Sequence, residues 1–189
     1  MSAGPHATWS VRGITRAMLP LLVVLAVVEV GSGLVLDTFE EQLLRYPSLL
    51  VLVPVMIGTA GNLGSILAAR LSTAFHLGTL SFDLADEELA GNAVATIALA
   101  GTIFPLVGAG AWMLAFLTGG AQLFVGTVAA VALISGVVLS LLAVAVTLVA
   151  TYAAYRFELD PDDVVIPVVT NVCDVLGVVV LFAVVQVLV

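Results

Sequence analysis

The sequence predicts an all-α integral membrane protein of five transmembrane helices, with a cytoplasmic N-terminus and an external C-terminus. Mean hydropathy is +1.26, and 62% of the 189 residues are hydrophobic while only 10% are charged. Soluble domains carry about 25% charged residues. Five stretches reach the roughly 20 apolar residues that cross about 30 Å of hydrocarbon as a helix. The polar intervals between them are too short to build a soluble core.

The first span covers about residues 17–36. Glu29 and Gly31-Ser32-Gly33 interrupt its apolar run and no A-x-A-like cleavage site follows, so it reads as a mature helix rather than a secretory signal. The second, about 47–69, contains "PVMIGTAGNLGSILAARLST" at 54–73, a mixture of Pro54, glycines, Asn62 and serines inside an aliphatic run. The third covers about 91–117 and opens on Gly91-Asn92. The fourth, about 121–154, is longer than a perpendicular crossing needs, and tilt absorbs the excess. The fifth covers about 164–189. Before it, Asp160 suits an N-cap and Pro161 the first helical position, and Asp162 and Asp163 complement the helix dipole.

Charge sets the orientation. There are five arginines and no lysine. Arg12, Arg16, Arg70 and Arg156 fall on one side and Arg45 alone on the other, which places the N-terminus in the cytoplasm. The loops hold acids: Asp37, Glu40 and Glu41 outside, Asp83, Asp86, Glu87 and Glu88 inside, then Glu158, Asp160, Asp162 and Asp163. The net charge of -8 either gathers cations near a pore mouth or suits a high-salt cytoplasm, and it speaks against a nucleic-acid partner.

Enzymatic chemistry finds no motif: there is no nucleotide loop, nucleophile elbow or H-E-x-x-H. Cys173 is the single cysteine, which excludes an internal disulfide or a thiolate cluster and reads as a packed small residue. His6 and His76 receive no role.

Two polar stripes remain. In the second span Pro54, Gly58, Gly61, Asn62, Ser65 and Ala69 recur at steps of three and four, on one helical face. One reading is close packing against another helix, with Asn62 hydrogen-bonding across. The other is a loosened backbone whose carbonyls, with the Asn62 amide, face a wet path. In the fifth span Pro167, Thr170, Asn171, Asp174 and Gly177 share a face. Asp174 lies about three turns into that helix, where an ionised carboxylate must face protein, water or a cation, and an ion pathway is the default reading. A protonated or paired structural acid is the alternative. Glu29 is a second intramembrane acid with a plainer context.

These residues carry a resemblance. "P-x6-GNLGSxLAARLSTAxxLG" from Pro54 to Gly78 and "DPDDVVIPVVTNVCDxLG" from Asp160 to Gly177 are similar to the membrane domain of the MgtE magnesium transporters, most closely their archaeal and eukaryotic solute-carrier branch. "GSGLVLD" at 31–37 and the Gly91-Asn92 pair agree with it.

The resemblance implies multi-pass transport of a divalent cation across the cell membrane, with Mg2+ as cargo and no resident cofactor. It implies that Asp174 meets the ion, with Thr170 and Asn171 beside it. Pro54, Gly58, Gly61, Asn62 and Ser65, together with Pro167 and Gly177, would line the pore. Two five-helix units form such a pore, so a homodimer is expected, or a heterodimer with a sister half. On this view residues 1–189 form one transmembrane domain without a soluble regulatory domain. The competing readings are a non-conducting subunit that needs a sister half, and a carrier of Mn2+ or Co2+.

Overall fold

In lipid every backbone N–H and C=O must find its partner within the protein, and an aliphatic chain can do so locally only as helix. The computed structural model describes residues 11–79 and 87–189, and these contain helices and no strand: α1 Val11–Asp37, α2 Glu40–Arg45, α3 Pro47–His76, α4 Glu87–Leu117, α5 Val125–Arg156 and α6 Pro161–Leu188. His6, Asp83 and Asp86 lie outside the described residues. Five of the helices are long and apolar enough to cross a membrane, over Met18–Asp37, Pro47–Ala74, Glu87–Leu117, Val125–Arg156 and Pro161–Leu188.

The helix ends follow local chemistry. Asp160 caps α6, its Oδ1 accepting from Asp162 N–H at 3.0 Å, with Pro161 at the first helical position, as the sequence predicts. Three helices close with the wide backward hydrogen bond of a left-handed cap. Thr79 N–H donates to Ala74 C=O at 3.0 Å, Gly120 N–H to Ala115 C=O at 2.8 Å, and Leu159 N–H to Ala154 C=O at 2.9 Å. Gly78 and Gly119 take the positive φ in two of these turns, and Glu158 takes it in the third at 55°. A residue with a Cβ is disfavoured there by about 1 kcal/mol. Glu158→Gly is therefore expected to raise thermal stability in detergent by roughly that amount; a lower melting temperature would contradict it.

Two features differ from the sequence expectation. α3 runs past Arg70 to His76, because "LSTAFH" contains no breaker before Gly78 turns the chain. The connection between the first two spans contains α2, a single short turn-and-a-half whose Leu43 is buried.

The core sits among α3, α4, α5 and α6, with α6 touching α1, α3 and α5. Phe104, Phe182, Leu49, Leu52, Met56 and Leu139 are fully buried there. Phe39, just before α2, stacks on Phe182 with ring centroids 3.9 Å apart and planes 3° from parallel, which fixes the connection between α1 and α3 to α6. Between α4 and α5 the backbones nearly touch: a Cβ at Gly108 would lie 2.8 Å from the Ala129 Cα, and one at Gly136 would enter the Phe104 ring. Lipid tails supply no hydrophobic drive between helices, so close approach at small residues is what holds such contacts. The opposite faces carry exposed Val94, Leu106, Leu141 and Val149, as a lipid-facing surface requires. α1 leans on α6, and its spanning segment buries none of its residues within this chain.

Candidate cation site

The site is built on the middle of α6, where the chain approaches α3 on one side and α1 on the other. α3 and α6 run antiparallel in close register. A Cβ at Gly61 would sit 3.8 Å from Thr170 Cγ2, one at Gly64 would overlap Val169 Cγ1, and one at Gly177 would come 2.8 Å from Ile57 Cγ1. Asp174 lies between Thr170 and Gly177 along α6, as Gly58 lies between Ile57 and Gly61 along α3. This register therefore sets Asp174 level with Gly58, where the space beside the α3 backbone is open.

The second-span stripe divides between two environments. Gly61 is buried against α6 and Ser65 is half-buried, while Pro54, Gly58, Asn62 and Ala69 are exposed on the surface of the chain. Gly61 packs against Thr170 of α6, as the packing reading expects, while Asn62 faces outward from the core. α3 remains one continuous helix through Pro54, so the backbone does not open. The Ser65 hydroxyl donates to Gly61 C=O at 2.8 Å, turning its own polarity back onto the helix.

On α6 the polar face also divides. Thr170 is half-buried and its hydroxyl donates to Ile166 C=O and Pro167 C=O, each at 3.1 Å. Pro167 is half-buried and Gly177 buried. Asn171 is 3% exposed and turns to α1, its Nδ2 donating to Glu29 Oε1 at 2.7 Å and to Leu25 C=O at 3.1 Å. Asp174 is half-buried and lies three residues after Asn171, on the face of α6 that Asn171 turns toward Glu29. Cys173, between them, points into the apolar core.

The sequence marks Glu29 as a second intramembrane acid but does not identify its partner, because Asn171 lies on a helix more than a hundred residues away. Sequence reading also passes over Gly64, the tightest α3–α6 contact. The three-residue step from Gly61 to Gly64 was the available signal, since small residues one turn apart mark a close helix contact.

Chemically, Glu29, Asp174 and Thr170 offer carboxylate and hydroxyl oxygens. Oxygen-only sites suit hard cations such as Mg2+, Ca2+ and Mn2+. Among the described residues no arginine forms a salt bridge with either carboxylate; elsewhere His76 Nε2 lies 3.9 Å from Asp160 Oδ1. His76, Asp160 and Asp162 bring ligand-type atoms within 4.8 Å of one another at the junction of α3 and α6, all three on the exposed surface. His76 Nδ1 also lies 2.9 Å from Ser72 C=O.

No curated protein and no solved structure matches the chain. The MgtE family, described as a divalent cation transporter, matches residues 53–184, which takes in most of α3, all of α4 and α5 and most of α6, and with them Asn62, Thr170 and Asp174. With five helices apolar enough to span a bilayer and that match over most of its length, the chain is a multi-pass membrane protein and belongs to the MgtE family of divalent cation transporters.

Proposed function

We propose that the protein carries Mg2+ across the cell membrane through a path formed where two copies of the chain meet, and that Asp174 contacts the ion. The observation that carries this reading is Asp174 itself: a half-buried carboxylate at the middle of a spanning helix, in a chain of a divalent cation transporter family. A carboxylate at that depth is costly unless water or a cation meets it. Mg2+ gives up its water reluctantly and is served by one or two carboxylates per site rather than a full protein cage.

The exposed polar groups support a partner. Asn62 faces away from the core at membrane depth, beside the open space at Gly58, and bare lipid is a poor neighbour for an amide. A second copy related by a two-fold axis would cover this face with the same face of its own, lining the path with Asn62 and Asp174 from both chains. We read the N-terminus as cytoplasmic, the ion as cargo rather than resident cofactor, and the solute-carrier branch as the nearest relatives, on the motif likeness from Pro54 to Gly78 and from Asp160 to Gly177.

The test is uptake into liposomes holding the purified chain, followed with a Mg2+-sensitive dye and repeated with Mn2+, Co2+ and Ca2+ in competition. Saturable Mg2+ entry, inhibited least by Ca2+, is expected, because the smaller ions share the octahedral preference. Absence of entry from a preparation shown to be dimeric would overturn the reading in favour of a subunit that needs a sister half.

A further inference from the structure

We propose that Glu29 is a second carboxylate contact of the transported dication and that Asn171 is its positioning residue, so that each chain presents a two-carboxylate oxygen site made of α1 and α6. This inference rests on the transport reading above and adds to it a ligand from the first helix.

The geometry carries it in three steps. Asn171 is 3% exposed, and both of its amide hydrogen bonds go to α1, to Glu29 Oε1 at 2.7 Å and Leu25 C=O at 3.1 Å. The Glu29 carboxyl is thereby fixed rather than free to swing away from the helix pair. Asn171 and Asp174 are three residues apart on α6, so the Glu29 carboxyl that Asn171 holds lies on the face of α6 that carries Asp174. Both acids lie near the middle of their spans, Met18–Asp37 and Pro161–Leu188, and no arginine pairs with either among the described residues.

Helix glue alone does not account for an acid at this place. A glutamine would accept the same hydrogen bond from Asn171 through its amide oxygen, at a smaller cost of burial in a membrane than an ionisable group. What glutamate adds is charge, next to a second carboxylate, and no arginine among the described residues pairs with either. A dication balances them. Two carboxylates also favour a divalent over a monovalent ion, since affinity rises with the charge of the ligand set.

The experiment uses the full chain in liposomes with Mg2+ as the probe, and compares wild type, Asp174→Asn, Glu29→Gln, Glu29→Asp and Asn171→Ala. Glu29→Gln keeps the acceptor for Asn171 and removes only the charge. Its KM for Mg2+ is expected to rise at least about tenfold, equivalent to ~1.4 kcal/mol of lost ion binding, with an unchanged melting temperature in detergent. Glu29→Asp keeps the charge and is expected to recover part of the affinity. Asn171→Ala unseats Glu29 and is expected to raise KM by a smaller factor, an effect that disappears when Glu29 is already glutamine. If wild type takes up Mg2+, Asp174→Asn does not, and Glu29→Gln keeps the wild-type KM, the second ligand is overturned while the transport reading stands. A wild-type chain that moves no divalent cation overturns both. Should Glu29→Gln fail to fold, the comparison of Glu29→Asp with Asn171→Ala decides: equal loss from both, through a lower amount of folded protein rather than through KM, overturns the proposal.

Discussion

Replacing Asp174 by asparagine is expected to reduce Mg2+ uptake at least about 100-fold and to leave the protein folded. The substitution is nearly isosteric and removes one charge from the middle of a spanning helix. At an effective dielectric of about 20, a unit charge about 4 Å from another contributes ~4 kcal/mol. A retained water layer between ion and carboxylate reduces that figure. About 2.8 kcal/mol, two factors of ten, is a conservative remainder. The folded state loses little in exchange, because a neutral amide is cheaper than a carboxylate at membrane depth, and the melting temperature in detergent should hold or rise. The two readouts separate the alternatives. A structural acid would lower stability when replaced, whereas an ion contact lowers flux alone. Full flux with Asp174→Asn removes the residue from the path.

The parts of this fold that were legible in the sequence are those set by local chemistry. The five spans follow from length and hydropathy, and the start of α6 follows from Asp160, Pro161 and the acids after them, which form the expected cap. Asp174 stood out because cost at depth is a property of one residue in one helix. What could not be read is which helix lies beside which. A wheel puts Gly61 and Asn62 on one stripe, but the neighbour α6 covers only one edge of it, so Gly61 is buried and Asn62 exposed. Asn171 shares the Asp174 face by periodicity, yet α1 claims its amide. Glu29 was visible as an acid and invisible as a partner, since its significance arises only once α1 is laid along α6. Arg70 resembles a terminal charge and predicts an earlier end for α3, while the actual stop is the left-handed turn at Gly78.

The same reasoning gives α1 an unusual standing. It buries none of its spanning residues within the chain and is tied to α6 through the Asn171 bonds to Glu29 and Leu25. Toward its C-terminal end Val35 and Leu36 pack against the core cluster, so apolar contact holds α1 in place together with the Asn171 bonds.

Gly64→Val is expected to be among the most damaging substitutions in the molecule. Gly64 lies where α3 meets α6 and α5 together: a Cβ there would overlap Val169 Cγ1 and sit 3.5 Å from the Ala143 Cβ. Val169 and Ala143 are buried at 0% and 1% exposure, and a β-branched valine has little rotamer freedom within a helix to move aside. The helices must separate, at a cost of about 1–3 kcal/mol for overpacking a well-filled core. Because Thr170 follows Val169 and Asp174 lies one turn further, separation also displaces the carboxylate from α3, and flux should fall with stability. Gly101→Ala serves as the control, since Gly101 is helical and nothing lies within 4 Å of its Cβ position; there the better helix former should stabilise by up to ~1 kcal/mol. A cycle with Gly64→Ala, Val169→Ala and the double variant locates the cause. If the collision is with Val169, the double variant is more stable than the sum of the singles predicts, by a coupling of roughly 0.5–3 kcal/mol. Strict additivity would mean that the α3–α6 approach at Gly64 is not what sets the position of Asp174.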